Sequence, residues 1–209
     1  MIIAVDGPTA SGKGTLARQL AEHFGLPVLD TGLLYRAVGY QTQLNHGDPD
    51  NAADALAACD FPDSLLGDPA LRFESTGGLA SRASVHPAVR AALFQRQVDF
   101  ANRPGGAVLD GRDIGTVIAP HADAKIFVTA SPGERARRRH AEMRARGVDV
   151  SHDAVLADIH ARDARDTGRA DAPLVRAVDA MLLDNSDMTR EAALAAAIAF
   201  VETRKQNPG

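Results

Sequence analysis

Residues 7–15 read Gly7-Pro8-Thr9-Ala10-Ser11-Gly12-Lys13-Gly14-Thr15 and directly follow the apolar run Ile2-Ile3-Ala4-Val5. Glycine, four residues, then glycine and lysine is the spacing of a phosphate-binding loop. Glycines let the backbone turn tightly and aim its N–H groups at an anion. Lys13 adds a mobile positive charge, and the helix that follows offers its positive end. Leu16, Leu20 and Phe24 recur at helical spacing, so strand, loop and helix stand in the required order. The loop residues Gly7 to Thr15 are therefore expected to bind the phosphates of a nucleotide. One detail departs from the common pattern. Lys13 is followed by Gly14, and the hydroxyl that could ligate a cation comes one later, at Thr15.

Outward from the loop, five short apolar runs read as buried parallel strands: 2–5, 27–29, 107–109, 125–129 and 180–183. Helical patterns lie at 13–24, 33–45, 51–58, 87–101, 132–146, 151–165 and 189–204. The alternation predicts an α/β chain, a three-layer P-loop fold with a five-stranded parallel sheet. Two segments break it. Residues 59–85 are turn-rich, with Leu71-Arg72-Phe73-Glu74 alternating like one short antiparallel strand. Residues 132–170 are helical by pattern, dense in arginine and poor in large apolar residues, so a mobile helical lid is expected there. The single domain then divides into a core (1–36, 86–131, 171–205), an insert at about 37–85 and a lid at about 132–170. The tail 206–209 is expected to fray.

Composition narrows the class. The 209 residues carry a net charge of −4, which gives no general attraction to nucleic acid or anionic membranes. A lone cysteine, Cys59, excludes an intrachain disulfide and reads as a small packing residue. No apolar run approaches membrane-spanning length and the N-terminus lacks a signal-peptide pattern. A cytoplasmic monomer with small-molecule partners, and neither nucleic acid nor membrane, is the expectation.

Three further clusters carry charge at strand or helix ends. Asp30-Thr31-Gly32-Leu33-Leu34-Tyr35-Arg36 closes the second strand and opens a helix, where open α/β sheets bind ligands. Asp110-Gly111-Arg112-Asp113 packs two acids and an arginine into four residues. Arg112 can clamp a phosphate, and Asp110 can hold Mg²⁺ or orient Arg112. Arg135, Arg138 and Arg139 share one helical face, as do Arg162, Arg165, Asp166 and Arg169. Lysine and arginines around a moving phosphate suit phosphoryl transfer, which needs charge neutralisation above all. The seven histidines are scattered and offer no general base. A phosphate acceptor needs none, being already ionised near neutral pH.

Taken together, the motifs resemble those of the bacterial cytidylate kinases, within the nucleoside monophosphate kinases. The resemblance is carried by Asp6-Gly7-Pro8 with Ser11-Gly12-Lys13-Gly14-Thr15, by Asp30-Thr31-Gly32 with Tyr35-Arg36, by Asp110 to Val117, and by Arg162-Asp163, Arg165-Asp166, Arg169 and Ala172-Pro173-Leu174. It implies transfer from ATP, with Mg²⁺, to CMP or dCMP. It also implies that Arg36, Arg112 and Arg169 hold the monophosphate, with Thr31 and Tyr35 beside it. Ser81, Arg90 and Asp113 read cytosine. Arg162 and Asp166 contact the sugar, and Arg135, Arg138 or Arg139 approach the donor phosphates. Lys13, Arg112, Arg135, Arg139 and Arg169 then form the catalytic set, with Thr15 and Asp110 toward the metal. Arg72 precedes Ser81 at the family's spacing, in an insert shorter than is usual. The alternatives are another small P-loop kinase, acting on UMP, AMP or a metabolite hydroxyl, and, from a different class, a nucleotide-binding switch.

Overall fold

The computed structural model describes residues 1–206. Five parallel strands form one sheet: β1 (Ile2–Asp6), β2 (Val28–Asp30), β3 (Ala107–Gly111), β4 (Ala124–Thr129) and β5 (Met181–Asp184), in the order β2-β3-β1-β4-β5. β1 is central. Its last residue, Asp6, lies beside Gly111 of β3 and Phe127 of β4, while Asp30 lies beside Asp110. The carboxyl ends of β1, β2 and β3 therefore converge on one edge, and the chemistry-bearing loops leave from that edge.

Helices cover both faces. α1 (Lys13–Phe24) and α8 (Arg190–Gln206) bury Leu16, Leu20, Ala197 and Val201 against Ile3, Val5, Ile126 and Val128. On the other face, Ala101 of α5 (Pro87–Ala101) and the wide turn Ile114–Ile118 pack on Ala4 and Leu109. α2 (Thr31–Leu44) runs unbroken from the end of β2 away from the sheet. With α3 (Ala52–Ala57), α4 (Glu74–Ala83) and α5, it encloses a second core around Leu34, Val38, Leu71 and Val89. α6 (Pro132–Ala145), capped by Ser131 and opened by Pro132, packs on α7 (His152–Gly168) around a small cluster of Ala136, Val155 and Ile159, edged by the half-buried Met143 and Leu156. No helix among the described residues is long and apolar enough to cross a membrane. Of the tail 206–209, Gln206 ends α8 and the rest lies outside the described residues.

Two sequence expectations require correction. Leu71 to Glu74 is not a strand. Residues Pro69–Arg72 form a 3-10 turn capped by Asp68, and Glu74 begins α4. In a strand Leu71 and Phe73 would face the same side. Here Leu71 is fully buried and Phe73 is 60% exposed. The second correction is α4 itself, which propensity hides behind Gly77-Gly78. Tertiary contact makes it form: a Cβ at Gly39 of α2 would stand 2.7 Å from the Leu79 Cβ, so the two helices pack nearly backbone to backbone.

Candidate active site

The loop between β1 and α1 takes its shape from two glycines. A Cβ at Gly7 would sit 2.0 Å from the Val128 carbonyl oxygen, and Gly12 caps α1 at a φ of 88°. Lys13, half-buried at the start of α1, reaches to 3.6 Å from Asp110 Oδ1 at the end of β3. Burial and then the nearby Arg112 lower the Lys13 pKa, and burial raises that of Asp110. Ser11 Oγ and Asp110 Oδ1 are buried without a hydrogen-bond partner among the described residues. Asp6 accepts the N–H groups of Ile114 and Gly115, each at 2.8 Å, and so fixes the turn after Asp113. Burial pushes the Asp6 carboxyl up to about 7 against those two donors.

Two clefts meet at the loop. Thr9 faces one of them; Ala10, Gly12 and Thr15 face the other. All ten residues expected to bind the acceptor line the first cleft. Each segment contributes. Thr31, Tyr35 and Arg36 come from the start of α2, where Thr31 Oγ1 donates to the Asp110 carbonyl at 2.8 Å. Ser81 comes from α4 and Arg90 from α5, while Arg112 and Asp113 follow β3. Arg162, Asp166 and Arg169 come from α7 and its end. At the back, Arg90 pairs with Asp113, with the Arg90 guanidinium 5.7 Å from the centre of the Tyr35 ring. Nearer the loop, Arg112 Nε donates to Asp166 at 2.7 Å. Burial opposes charge on both partners, yet their attraction outweighs it: Arg112 is raised and Asp166 lowered. Arg72 is exposed and outside the cleft.

Arg36 and Arg169 lack sufficient counter-charge. Arg36 is pushed down to about 10 by burial and then by Arg162; Arg169 is lowered by burial and then by Arg90. Among the described residues, Arg36 donates to the carbonyls of Leu71 and Phe73 alone, at 2.9 and 2.8 Å. Arg169 Nη2 is buried, has no hydrogen-bond partner among the described residues and stands 3.9 Å from Asp113. Mutually repelling guanidiniums around a cleft make a receptor for a multiply charged anion.

The second cleft, which is wider, runs from the start of α1 to α6 and the β5–α8 turn. Arg138 and Arg139 line it, with Thr15 on the opposite wall. The arginines that share a face in sequence have three separate partners in the fold. Arg138 binds Glu134 and both oxygens of Asn185, and Asn185 in turn donates to the Ser11 carbonyl at 2.9 Å. Arg139 pairs with Glu74 of α4, which also holds Arg162. Arg135 lines neither cleft: its buried guanidinium grips Asp163 at 2.6 and 3.0 Å and the Thr9 carbonyl at 3.2 Å. None of the seven histidines lines either cleft.

A two-cleft P-loop core with this arginine set also matches known proteins. The family model described as cytidylate kinase fits residues 3–203. The chain belongs to the cytidylate kinase family. A cytidylate kinase from Xanthobacter autotrophicus is 57% identical over 98% of this chain and 99% of its own length. One from Caulobacter sp. is 54% identical over 100% of this chain and 97% of its own. A solved structure titled an uncharacterized protein from Eubacterium ventriosum shares the fold, with a TM-score of 0.59 at 17% identity, over 97% of this chain and 98% of that one. Within this family fold, four residues emerge that the sequence reading left without a role. Asp163 and Arg165 stand in the quoted Arg-Asp segment, and Asn185 directly follows the last strand. Glu74 was hidden in the segment misread as a strand.

Proposed function

We infer that the protein transfers the terminal phosphoryl group of ATP to CMP or dCMP. One observation carries the reading: an arginine-rich cleft with a buried Arg90–Asp113 pair at its back faces a second, wider cleft across the phosphate-binding loop. The wider cleft takes the donor, with Lys13 and the loop on its phosphates and Arg138 and Arg139 beside them. The narrower one takes the acceptor. Arg36, Arg112 and Arg169 bind its phosphate, and Arg162 and Asp166 bind its sugar. Ser81, Arg90 and Asp113 read its base. Cytosine presents two acceptors and an amino donor, which suit an arginine and a carboxylate. Uracil puts a carbonyl where the amino group would be, against Asp113.

The acceptor phosphate attacks with an oxygen that is already ionised, so the absence of histidine from both clefts is no obstacle. Lys13, Arg112, Arg139 and Arg169 spread around the charge that develops as the phosphoryl group moves. Arg135 acts through the fold, pinning the Thr9 carbonyl to α7. Closure of α6 and α7 excludes water from the donor.

Asp110 and Thr15 are the residues fit to hold Mg²⁺. The described residues contain no cluster of three or more acidic, histidine or cysteine ligands. However, Asp110 Oδ1 is a buried carboxylate oxygen without a hydrogen-bond partner, and a hard cation that keeps most of its waters needs no more than one or two protein oxygens. Bound there with the donor, the ion neutralises charge on the phosphates. The test is ATP consumption against CMP, dCMP, UMP and AMP. Fast turnover with the two cytosine nucleotides is expected, and turnover with AMP but not CMP overturns the reading.

A further inference from the structure

Arg165 belongs to the same arginine-aspartate segment as Arg162 and Asp166, yet it does not line the acceptor cleft as they do. Its side chain crosses from α7 to α4, where Nε donates to Ser81 Oγ at 2.9 Å. Ser81 does line the cleft, with Arg90 and Asp113. A serine hydroxyl has one proton to give and two lone pairs, and a guanidinium can only donate. Arg165 therefore occupies one lone pair, and the proton is the stronger handle left to Ser81. Accepting from a cation also polarises the O–H and makes it a better donor.

That polarity matters for the base. At the middle of its pairing edge cytosine has an acceptor, N3, whereas uracil has an N3–H donor. A hydroxyl held as a donor matches the first and opposes the second. We infer that Arg165 is a specificity-determining positioning residue, which acts through the Ser81 hydroxyl to favour cytosine over uracil. It complements Asp113, which discriminates at the exocyclic group. Because Arg165 rides on α7 with Arg162 and Asp166, base reading depends on the seat of the same helix that supplies the sugar contacts. The inference rests on the CMP/dCMP reading of the cleft.

The test is kcat/KM for CMP and UMP in the wild type, Arg165→Gln, Arg165→Lys, Ser81→Ala and the Arg165→Gln/Ser81→Ala double variant. The ratio of the two specificity constants does not depend on the fraction of active enzyme, so partial misfolding leaves it intact. Arg165→Gln is expected to lower the CMP/UMP ratio about tenfold, the scale of one hydrogen bond to a charged group. The loss falls on KM for CMP, and Arg165→Lys recovers part of it. The double variant should match Ser81→Ala alone, since Arg165 then has nothing to act through. An unchanged ratio in Arg165→Gln overturns the inference, and so does a full additional loss on top of Ser81→Ala. A wild type that does not prefer CMP to UMP overturns the underlying reading instead, and it is seen before any substitution is made.

Discussion

Gly77→Ala should make the protein more stable and less active at once. Gly77 is buried in α4, and a Cβ there would lie 2.8 Å from Arg36 Nη2 and 2.9 Å from Arg162 Nη1. Both contacts are with the ends of flexible side chains, so the helix can accept the methyl group while the two guanidiniums withdraw. Replacing a mid-helix glycine by alanine stabilises by about 1 kcal/mol. For a chain of this size that raises Tm by roughly 2–4 °C. Withdrawal costs binding. Arg36 Nη1 stays tethered to the Leu71 and Phe73 carbonyls while Nη2 turns away from the methyl group, so the head cannot reach back to the acceptor by another path. A charge-assisted hydrogen bond is worth about 1.5–3 kcal/mol. A net loss of about 2 kcal/mol lowers kcat/KM for CMP roughly 30-fold. A coupled assay of ADP release with CMP titrated, run beside thermal denaturation, reads both effects. A raised Tm with kcat/KM within about twofold of wild type would show that these two arginines do not meet the acceptor from where they stand. A fall in both would show that α4 has no room for the methyl group, which also refutes the reasoning.

Arg112→Ala should lower kcat/KM at least about 100-fold, on the order of 3 kcal/mol of transition-state stabilisation, and unchanged kinetics would remove Arg112 from the site. Asp113→Asn should narrow the gap between CMP and UMP in parallel kinetic titrations, because an amide can donate to the uracil carbonyl; a preserved ratio means that Asp113 does not read the base. Asp163→Asn leaves a buried guanidinium without its counter-charge. The partner is partly exposed, so the expected loss is about 2–3 kcal/mol in urea unfolding, with a raised KM for CMP as Thr9 loosens on the acceptor cleft. An Asp163→Asn protein as stable as wild type would assign that pair no weight. Asp6 titrates near 3.8 when unfolded and about 7 when folded. Its raised value means that its contribution is full below about pH 4 and lost as pH climbs toward 7. Wild-type Tm should therefore drop between about pH 5 and about pH 8 more steeply than that of Asp6→Asn, and parallel slopes refute the assignment.

How legible the molecule was depends on what each signal measures. The five strands stand within one or two residues of their apolar runs: β1, β3 and β4 are buried on both faces and must be apolar and short, while the more exposed edge strands β2 and β5 still show as short apolar runs between helical patterns. α1 and α5 match their expected ends, since Gly12 and Pro87 punctuate them locally. α4 was illegible for the opposite reason. Its glycines weaken the helix in isolation, and Gly77 is explained only by the heads of Arg36 and Arg162, which come from far along the chain. The face shared by Arg135, Arg138 and Arg139 misled in the same way. Spacing fixes direction from the helix axis, whereas partner choice was decided by Asp163, Asn185 and Glu74, which lie far along the chain.

The residue after Lys13 shows the same limit at the centre of the site. In sequence, Gly14 is a departure that displaces the expected hydroxyl to Thr15. In the fold, a Cβ at position 14 would stand 2.9 Å from Asp110 Oδ2, where that carboxylate presses on the start of α1 beside Lys13. A serine or threonine directly after the lysine would push Asp110 out of its place. The hydroxyl at Thr15 instead faces the wider cleft, one residue on and clear of the carboxylate. The loop variant and the acid of Asp110-Gly111-Arg112-Asp113 are thus a single adaptation, split across about a hundred residues of chain. Neither half states its reason alone. The carboxylate at the end of β3 stands this close to the phosphate-binding loop because the loop carries no side chain at position 14.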